Sequence, residues 1–288
     1  MKLSKIVVGG AQIANNYGIV GKNLTKKETI KIFNFLIKEN KKVYVDTSPY
    51  YGGSQKFIKY FPQKKISVIS KIKNIPKDEK KISNYIENFT QKLQKDVKKK
   101  VFCIFLHDEK DLGNLNRLRV IKKVFEKLKK KKIIKMFGYS IYNFQKYKKN
   151  ILKIKPDILQ FPYNLIDKRV SKKDFIEIKK NKIKIYVRSI FLQGLLLCDS
   201  KNLPKNFIKF SVLWKNYEKY LNLNKINKLQ AALSFVCNNK MIDKFIIGFK
   251  SMKEFKQILE CKVSKKKINF ETKNKSIQKF LINPRVWK

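Results

Sequence analysis

The stretch "VVGGAQIANNYG", residues 7–18, decides between two ways of building an α/β chain. An apolar run ending in glycine is how both an open dinucleotide-binding sheet and a closed barrel begin. The open sheet needs G-x-G-x-x-G at its first strand-to-helix turn, where the glycines let backbone approach a pyrophosphate. Here the glycines are Gly9, Gly10 and a distant Gly18. The fingerprint is absent, and a barrel is the reading the rest of the chain has to meet.

It meets it by repetition. Short apolar runs recur along the chain: "KIVVGGAQ", "VYVDTS", "ISVISKI", "VFCIFLH", "IKMFGYSI", "DILQFPY", "IKIYVRSIF" and "KFIIGF". Between them lie stretches with helical periodicity, such as "KKETIKIFNFLIKEN", "KISNYIENFTQKLQKDV" and "LNRLRVIKKVFEKLKKK". Strands apolar on both faces, alternating with amphipathic helices, predict a parallel sheet covered by helices. Eight such units in about 250 residues predict a (β/α)8 TIM barrel. No Gly/Ser-rich linker or shift in composition divides the 288 residues, so one domain over 1–288 is expected.

The net charge of +48 has to be weighed against that picture. Five arginines (117, 119, 169, 188 and 285) among 69 basic residues leave 64 lysines, spread through "NKKVY", "DVKKK", "KLKKKK" and "VSKKKIN". Nucleic-acid binders concentrate arginine and lysine on one face or tail, often with aromatics. The dispersed lysines read as a solvated surface that attracts anionic cofactors or substrates in a salt-dependent way, with no specific nucleic-acid partner. Cys103, Cys198, Cys237 and Cys261 stand singly without C-x-x-C spacing, which argues against disulfides or a metal site and for a reducing cytoplasm. The basic start with its short, glycine-broken apolar run reads as a strand, not a signal peptide. No run reaches transmembrane length, so no membrane insertion is expected.

Barrel active sites form at the C-terminal strand ends, so polar residues there carry the question of function. The second strand ends at Asp46, the third brings Lys71 to its end, and the fourth ends on His107, the single histidine. Tyr51 follows Asp46 in "DTSPYYGGS", whose glycines permit a sharp return over the mouth. Each residue alone has an ordinary reading: Asp46 a turn cap, Lys71 a solvated or ion-paired lysine, Tyr51 a packing ring, His107 a hydrogen-bonded rim residue. Together they make sense as chemistry. A phenol can protonate a carbonyl oxygen if its phenolate is stabilised; a nearby ammonium held by a carboxylate does that, and an imidazole can orient the carbonyl. No side chain in the set supplies a hydride, which must come from a cofactor.

These residues resemble the aldo-keto reductase superfamily. "DTSPYYGGSQ" is close to that family's D-T-A-x-x-Y-G-x-S-E; "ISKI" resembles its strand ending in lysine, and "FLHDEKDL" its strand ending in H-D. The resemblance runs from Lys5 to the C-terminus and implies that Asp46, Tyr51, Lys71 and His107 are the catalytic tetrad. It further implies cofactor contacts from Ser140 in "MFGYSIYN", Gln160 in "LQFPYN", and Arg188 and Ser189 in "VRSIFLQGLLL". Gly248, Lys250, Ser251 and Gln257 in "IIGFKSMKEFKQIL" are implied at the adenosine end. Three positions depart from the pattern. Arg188 stands where an aromatic commonly stacks on the nicotinamide, Ile141 where an Asn often follows the serine, and Glu254 where some members carry a basic residue for the 2′-phosphate.

The resemblance therefore implies an NAD(P)H-dependent reductase of a small aldehyde or ketone, NADP(H) favoured and NAD(H) admitted. "QFPYNLIDKR" and "INPRVW" are loosely similar to bacterial members encoded with surface-polysaccharide genes. With the lysines, asparagines and aromatics of "DSKNLPKNFIKFSVLWKNYEKY", they point to a polar, sugar-like or anionic substrate. Two competing readings remain: a cofactor-binding sensor on the same barrel, and a polyanion or membrane-surface binder acting through its lysines.

Overall fold

The computed structural model describes residues 3–13, 24–39, 42–61, 65–272 and 275–287. Gly18, with the rest of residues 14–23, and Asn40 at the end of the first helical stretch lie outside the described residues. Eight strands, β1 (Ile6–Gly9), β2 (Val43–Asp46), β3 (Ile66–Ile72), β4 (Lys100–Leu106), β5 (Met136–Ser140), β6 (Ile158–Pro162), β7 (Lys184–Arg188) and β8 (Lys244–Ile247), form a closed barrel in chain order. Every pairing is parallel, and β8 returns to β1 through Ile6↔Phe245 and Val7↔Ile246. Each of the eight apolar runs read from the sequence holds one strand, and the TIM barrel is the fold.

Among the described residues, helices α1 (Lys26–Glu39), α2 (Ser54–Phe57), α3 (Glu79–Val97), α4 (Leu115–Lys130) and α5 (Phe144–Ile154) fall in the first half. They are followed by α6 (Lys172–Lys180), α7 (Ser211–Leu223), α8 (Lys228–Cys237), α9 (Met252–Glu260) and α10 (Lys275–Leu281). The long ones are amphipathic for a visible reason. In α3 the buried positions are Ile82, Ile86, Thr90, Leu93 and Val97, spaced three and four apart, while lysines occupy the outer face. Side-chain caps mark the starts: Asp78, Asn114, Asn143, Asn227 and Ser251 each accept a backbone N–H of the first turn. Ser171 and Asp174 form a reciprocal capping box on α6.

Two apolar layers follow. The larger lies between strands and helices, and a smaller one fills the barrel with Val7, Ile69, Phe102, Cys103, Phe105, Ile158, Tyr186 and Ile246. Strand alternation accounts for this interior except at one place. The β3–β4 register steps from Val68↔Val101 to Ile69↔Cys103, a bulge that passes over Phe102 and leaves both Phe102 and Cys103 inside. A third cluster, around Trp214, Tyr217, Phe207 and Trp287, is built by the loops after β6 and β7 and by the C-terminal segment. It is pinned where the Trp214 indole donates to the Leu195 carbonyl at 3.2 Å.

Gly138 sits where the filled interior leaves no space. A Cβ there would lie 2.4 Å from the Ile158 carbonyl oxygen and 2.5 Å from the Phe105 ring. Gly138→Ala is expected to lower the unfolding free energy by about 1–3 kcal/mol, read from the midpoint of urea denaturation at unchanged slope.

Candidate functional site

The C-terminal strand ends bring Asp46 and Lys71 together. The Lys71 ammonium donates to Asp46 Oδ2 at 2.6 Å and to the Thr47 carbonyl at 3.2 Å. Lys71 is 1% exposed and Asp46 4%, so of the two ordinary readings of this lysine the ion-paired one holds, and the pair is buried. Burial alone would push the ammonium's pKa down; the Asp46 carboxylate and the Tyr51 phenol outweigh it and leave it raised. Its stabilising contribution is therefore complete below the ordinary lysine value of 10.5 and is lost only as pH rises above it.

Asp46 is not a turn cap. Its second oxygen, Oδ1, accepts from Gln160 Nε2 at 3.1 Å, and Gln160 Oε1 accepts from the Ser140 hydroxyl at 3.0 Å. A relay thus runs from β5 through β6 to β2 and β3, with all four side chains buried. The sequence resemblance gives Ser140 and Gln160 to the cofactor. The structure shows them bonded to one another and to Asp46, and neither lines the cleft described below.

Tyr51 reaches this group over a loop with left-handed backbone at Gly52 (φ 39°) and Gly53 (φ 89°), conformations that favour glycine. Short bonds close the loop: the Tyr51 amide donates to the Ser48 carbonyl at 3.1 Å, and the Ser54 amide to the Tyr51 carbonyl at 2.8 Å. Thr47 and Ser54 hydroxyls pair at 2.9 Å, and the Ser70 hydroxyl donates to Gln55 at 3.0 Å, tying the loop to β3. The result sets the Lys71 ammonium 4.9 Å from the centroid of the Tyr51 ring. His107 extends the ladder one residue beyond β4, its amide donating to the Ile72 carbonyl at 2.9 Å, and its ring lies 6.5 Å from that of Tyr50.

From Asp46 and Tyr51 a cleft of about 1440 Å³ runs outward between the β7 and β8 loops. Arg188, Ser189, Gly248, Lys250 and Gln257, which the resemblance gives to the cofactor, line it. Ser251 does not; its hydroxyl caps α9 by accepting the Glu254 amide at 3.1 Å. The Glu254 carboxylate in turn accepts the Lys250 amide at 2.8 Å. Ser189 (φ 57°), Leu192 (φ 49°), Gln193 (φ 56°) and Gly194 (φ 97°) all take left-handed backbone, which folds the segment after β7 along the cleft.

Sequence reading missed several residues of this wall. Gln12 lines it beside Gly248. Lys228 on α8 bridges Asp199 and Glu218, the latter at 2.8 Å, and all three line the cleft. Burial would raise the Glu218 carboxyl, but hydrogen bonds from Lys228 and Ser200 outweigh it and lower its pKa to about 2. Nothing local in the sequence joins positions 199, 218 and 228; only the packing of the segment after β7 against both α7 and α8 does. Among the described residues no group of three or more His, Cys, Asp or Glu is placed to hold a metal, and no helix is long and apolar enough to cross a membrane.

A closed eight-stranded parallel barrel thus carries an acid, an amine, a phenol and an imidazole about its C-terminal strand ends. The family model described as "Aldo/keto reductase family" matches residues 5–272, and the chain belongs to that family. A comparison with curated proteins gives no match. Among solved structures the chain is similar to the holo form of aldo-keto reductase AKR11C1 from Bacillus halodurans. That likeness has a TM-score of 0.68 at 16% identity and covers 96% of this chain and 90% of that one. It is also similar to the glycerol dehydrogenase AKR11B4 from Gluconobacter oxydans, with a TM-score of 0.67 at 15% identity, covering 99% and 93%. At such identities the likeness speaks for the fold.

Two outcomes follow from the geometry. Lys71→Met strands a buried carboxylate and is expected to cost about 3–5 kcal/mol of stability, whereas Lys71→Met with Asp46→Asn recovers part of the loss, both read by denaturant titration. Glu218 contributes stability that is complete above its ordinary 4.5 and drains away as pH falls towards about 2. The stability gap between wild type and Glu218→Gln is expected to narrow across that window in a pH series of unfolding midpoints.

Proposed function

We propose that this protein is an NAD(P)H-dependent carbonyl reductase in which Tyr51 is the proton donor and Lys71, Asp46 and His107 prepare it and its substrate. The observation that carries the reading is the buried Lys71–Asp46 pair at 2.6 Å, its ammonium 4.9 Å from the Tyr51 ring at the floor of the cleft.

The chemistry runs through these residues. As a hydride arrives at the carbonyl carbon, negative charge develops on the oxygen, and the Tyr51 hydroxyl gives up its proton there to leave an alcohol. The phenolate that results needs a cation, and Lys71 is one that Asp46 keeps charged in spite of burial. Gln160 and Ser140 hold Asp46 in place. His107, at the neighbouring strand end, orients the carbonyl by a hydrogen bond.

A reduced nicotinamide dinucleotide, when bound, supplies the hydride that no side chain here can. The cleft fits such a group. At about 1440 Å³ it exceeds the 300–1,000 Å³ usual for drug-sized ligands, and it ends at Tyr51. Ser189, Gly248, Lys250 and Gln257 would hold the cofactor along the wall, with Arg188 at the inner end. Lys250 and Lys262 line the same cleft as Glu254, and with the strongly basic composition they make NADP(H) the favoured carrier. A polar, sugar-related carbonyl compound suits the lysines and asparagines that line the cleft, and four free cysteines suit a reducing cytoplasm.

Tyr51→Phe is expected to lower turnover by about 10²-fold or more, followed as NADPH or NADH oxidation against a panel of sugars and simple aldehydes. Cofactor affinity, measured by fluorescence titration, stays near the wild-type value. Undiminished turnover in the Phe variant would overturn the assignment.

A further inference from the structure

Seven of the eight strands start on a lysine or directly after one, the exception being β6, which follows Asp157. Strand register decides which of these lysines face the barrel axis, because neighbours in a parallel ladder point the same way. Lys244 pairs with Tyr186 and Lys184 with Ile158, and both partners belong to the barrel filling. Lys100 pairs with Ser67, which pairs with Tyr44, and Lys42 lies two residues before Tyr44. Four lysines thus share the inward face of β2, β4, β7 and β8 at the N-terminal mouth, the end of the barrel opposite the cleft.

Contacts at this mouth agree with the register. Its floor is the Tyr44 ring and Met136, the partly buried members of the inner layer. Lys244 Nζ lies 4.4 Å and Lys42 Nζ 5.3 Å from the centroid of the Tyr44 ring, and Lys184 Nζ lies 3.9 Å from Met136 Sδ. The acids at the neighbouring strand starts are engaged elsewhere. Asp157 is held by Lys129 through two bonds of 2.9 Å, and Asp243 by Lys179 at 3.0 and 3.1 Å and the Ile185 amide at 2.7 Å. Among the described residues none of Lys42, Lys100, Lys184 and Lys244 has an ion pair, and Lys244 alone donates to an oxygen, the Ser4 carbonyl at 2.6 Å. Burial and the nearby Lys184 and Lys42 push the Lys244 ammonium below its ordinary pKa in spite of Asp243. Lysines on the helix exteriors diverge into solvent. Here like charges meet over an apolar floor, and their repulsion is a cost to the fold until an anion shares it.

We propose that the N-terminal mouth of the barrel binds a compact polyphosphate, either an inorganic chain or the triphosphate of a nucleotide. Ammonium groups act as point charges towards phosphate, and several held around one axis match oxygens clustered on one short chain. The site is apart from the cleft and does not rest on the reductase reading.

Calorimetric titration with inorganic triphosphate, orthophosphate and ATP at fixed ionic strength tests it, on wild type and three paired variants. The N-terminal pair is Lys42→Gln with Lys184→Gln, both exposed. Controls remove equal charge from the exposed face of α4 (Lys123→Gln with Lys130→Gln) and from the cleft (Lys250→Gln with Lys262→Gln). Wild type is expected to bind a single triphosphate per chain about tenfold or more tighter than orthophosphate, and the N-terminal pair to lose about 100-fold, or tenfold for each charge-assisted contact. Both control pairs stay within about threefold of wild type, because charges beyond a Debye length are screened. Triphosphate bound tighter than ATP identifies the inorganic chain, and the reverse identifies a nucleotide. Equal losses in the N-terminal and α4 pairs overturn the inference, as does a loss confined to the cleft pair or the absence of polyphosphate binding by wild type.

Unfolding in urea gives a second readout. Without anion the N-terminal pair, relieved of repulsion, is expected to unfold at or above the wild-type midpoint, so that folded proteins are compared. Triphosphate then raises the midpoint of wild type but not that of the N-terminal pair. A rise of the same size in both overturns the inference.

Discussion

Two opposite charges shut away from water, the Lys71 ammonium and the Asp46 carboxylate, set the terms for the rest of this molecule. Removing them from solvent costs several kcal/mol per ion, which close contact offsets only when the remaining oxygens and protons find partners. Here they do, through the Thr47 carbonyl on one side and Gln160 and Ser140 on the other. The Gln160–Asp46 bond joins strands four apart in an eight-stranded ring, residues 114 positions apart in sequence. It spans the barrel, so an open sheet with the same strands could not make it. Closure of the fold and charging of the lysine are in this sense one event.

The apolar interior beneath the relay keeps the pair dry and rigid. Ile69, Phe105, Ile158 and Tyr186 fill the layer below it. Above it the cleft wall has a different character: left-handed backbone after β7, an α7–α8 pair held by the Lys228 bridge, and the Trp214 cluster behind. The lower half resists change because nothing in it can move alone. The wall is assembled from loops together with parts of α7 and α8, outside the packed barrel interior.

The strands and the candidate site are legible in the amino-acid sequence. Eight short apolar runs reveal the strands, and the order of Asp46, Tyr51, Lys71 and His107 at their ends reveals the candidate site, because strand ends of a parallel barrel must converge. Less legible is anything set by contacts across the ring or between loops. The resemblance gives Ser140 and Gln160 to the cofactor; that they also bond to one another and to Asp46 across the ring is visible only in the fold. The Asp199–Lys228–Glu218 bridge and the seat of Arg188 on Tyr142 belong to the same kind. They depend on which loops meet, and local propensity carries no record of that. Burial of Lys71 is an intermediate case, since a lysine flanked by apolar strand residues signals the need for a counter-ion but not how deep the pair lies.

The bulge between β3 and β4 has a consequence for how this chain can change. Because Val68 faces Val101 and Ile69 faces Cys103, Phe102 acts as an added count, and every pairing beyond it is set by that count. Lys71 beside Phe105, and His107 just above, owe their phase to a residue near the opposite end of the strand. A length change in the lower half of β3 or β4 would therefore act at the rim like a frameshift, turning side chains outward with no rim residue altered. Insertions in the loops above carry no such penalty, so lineage-to-lineage variation in length should gather on the cleft side of these two strands and stay out of their bases.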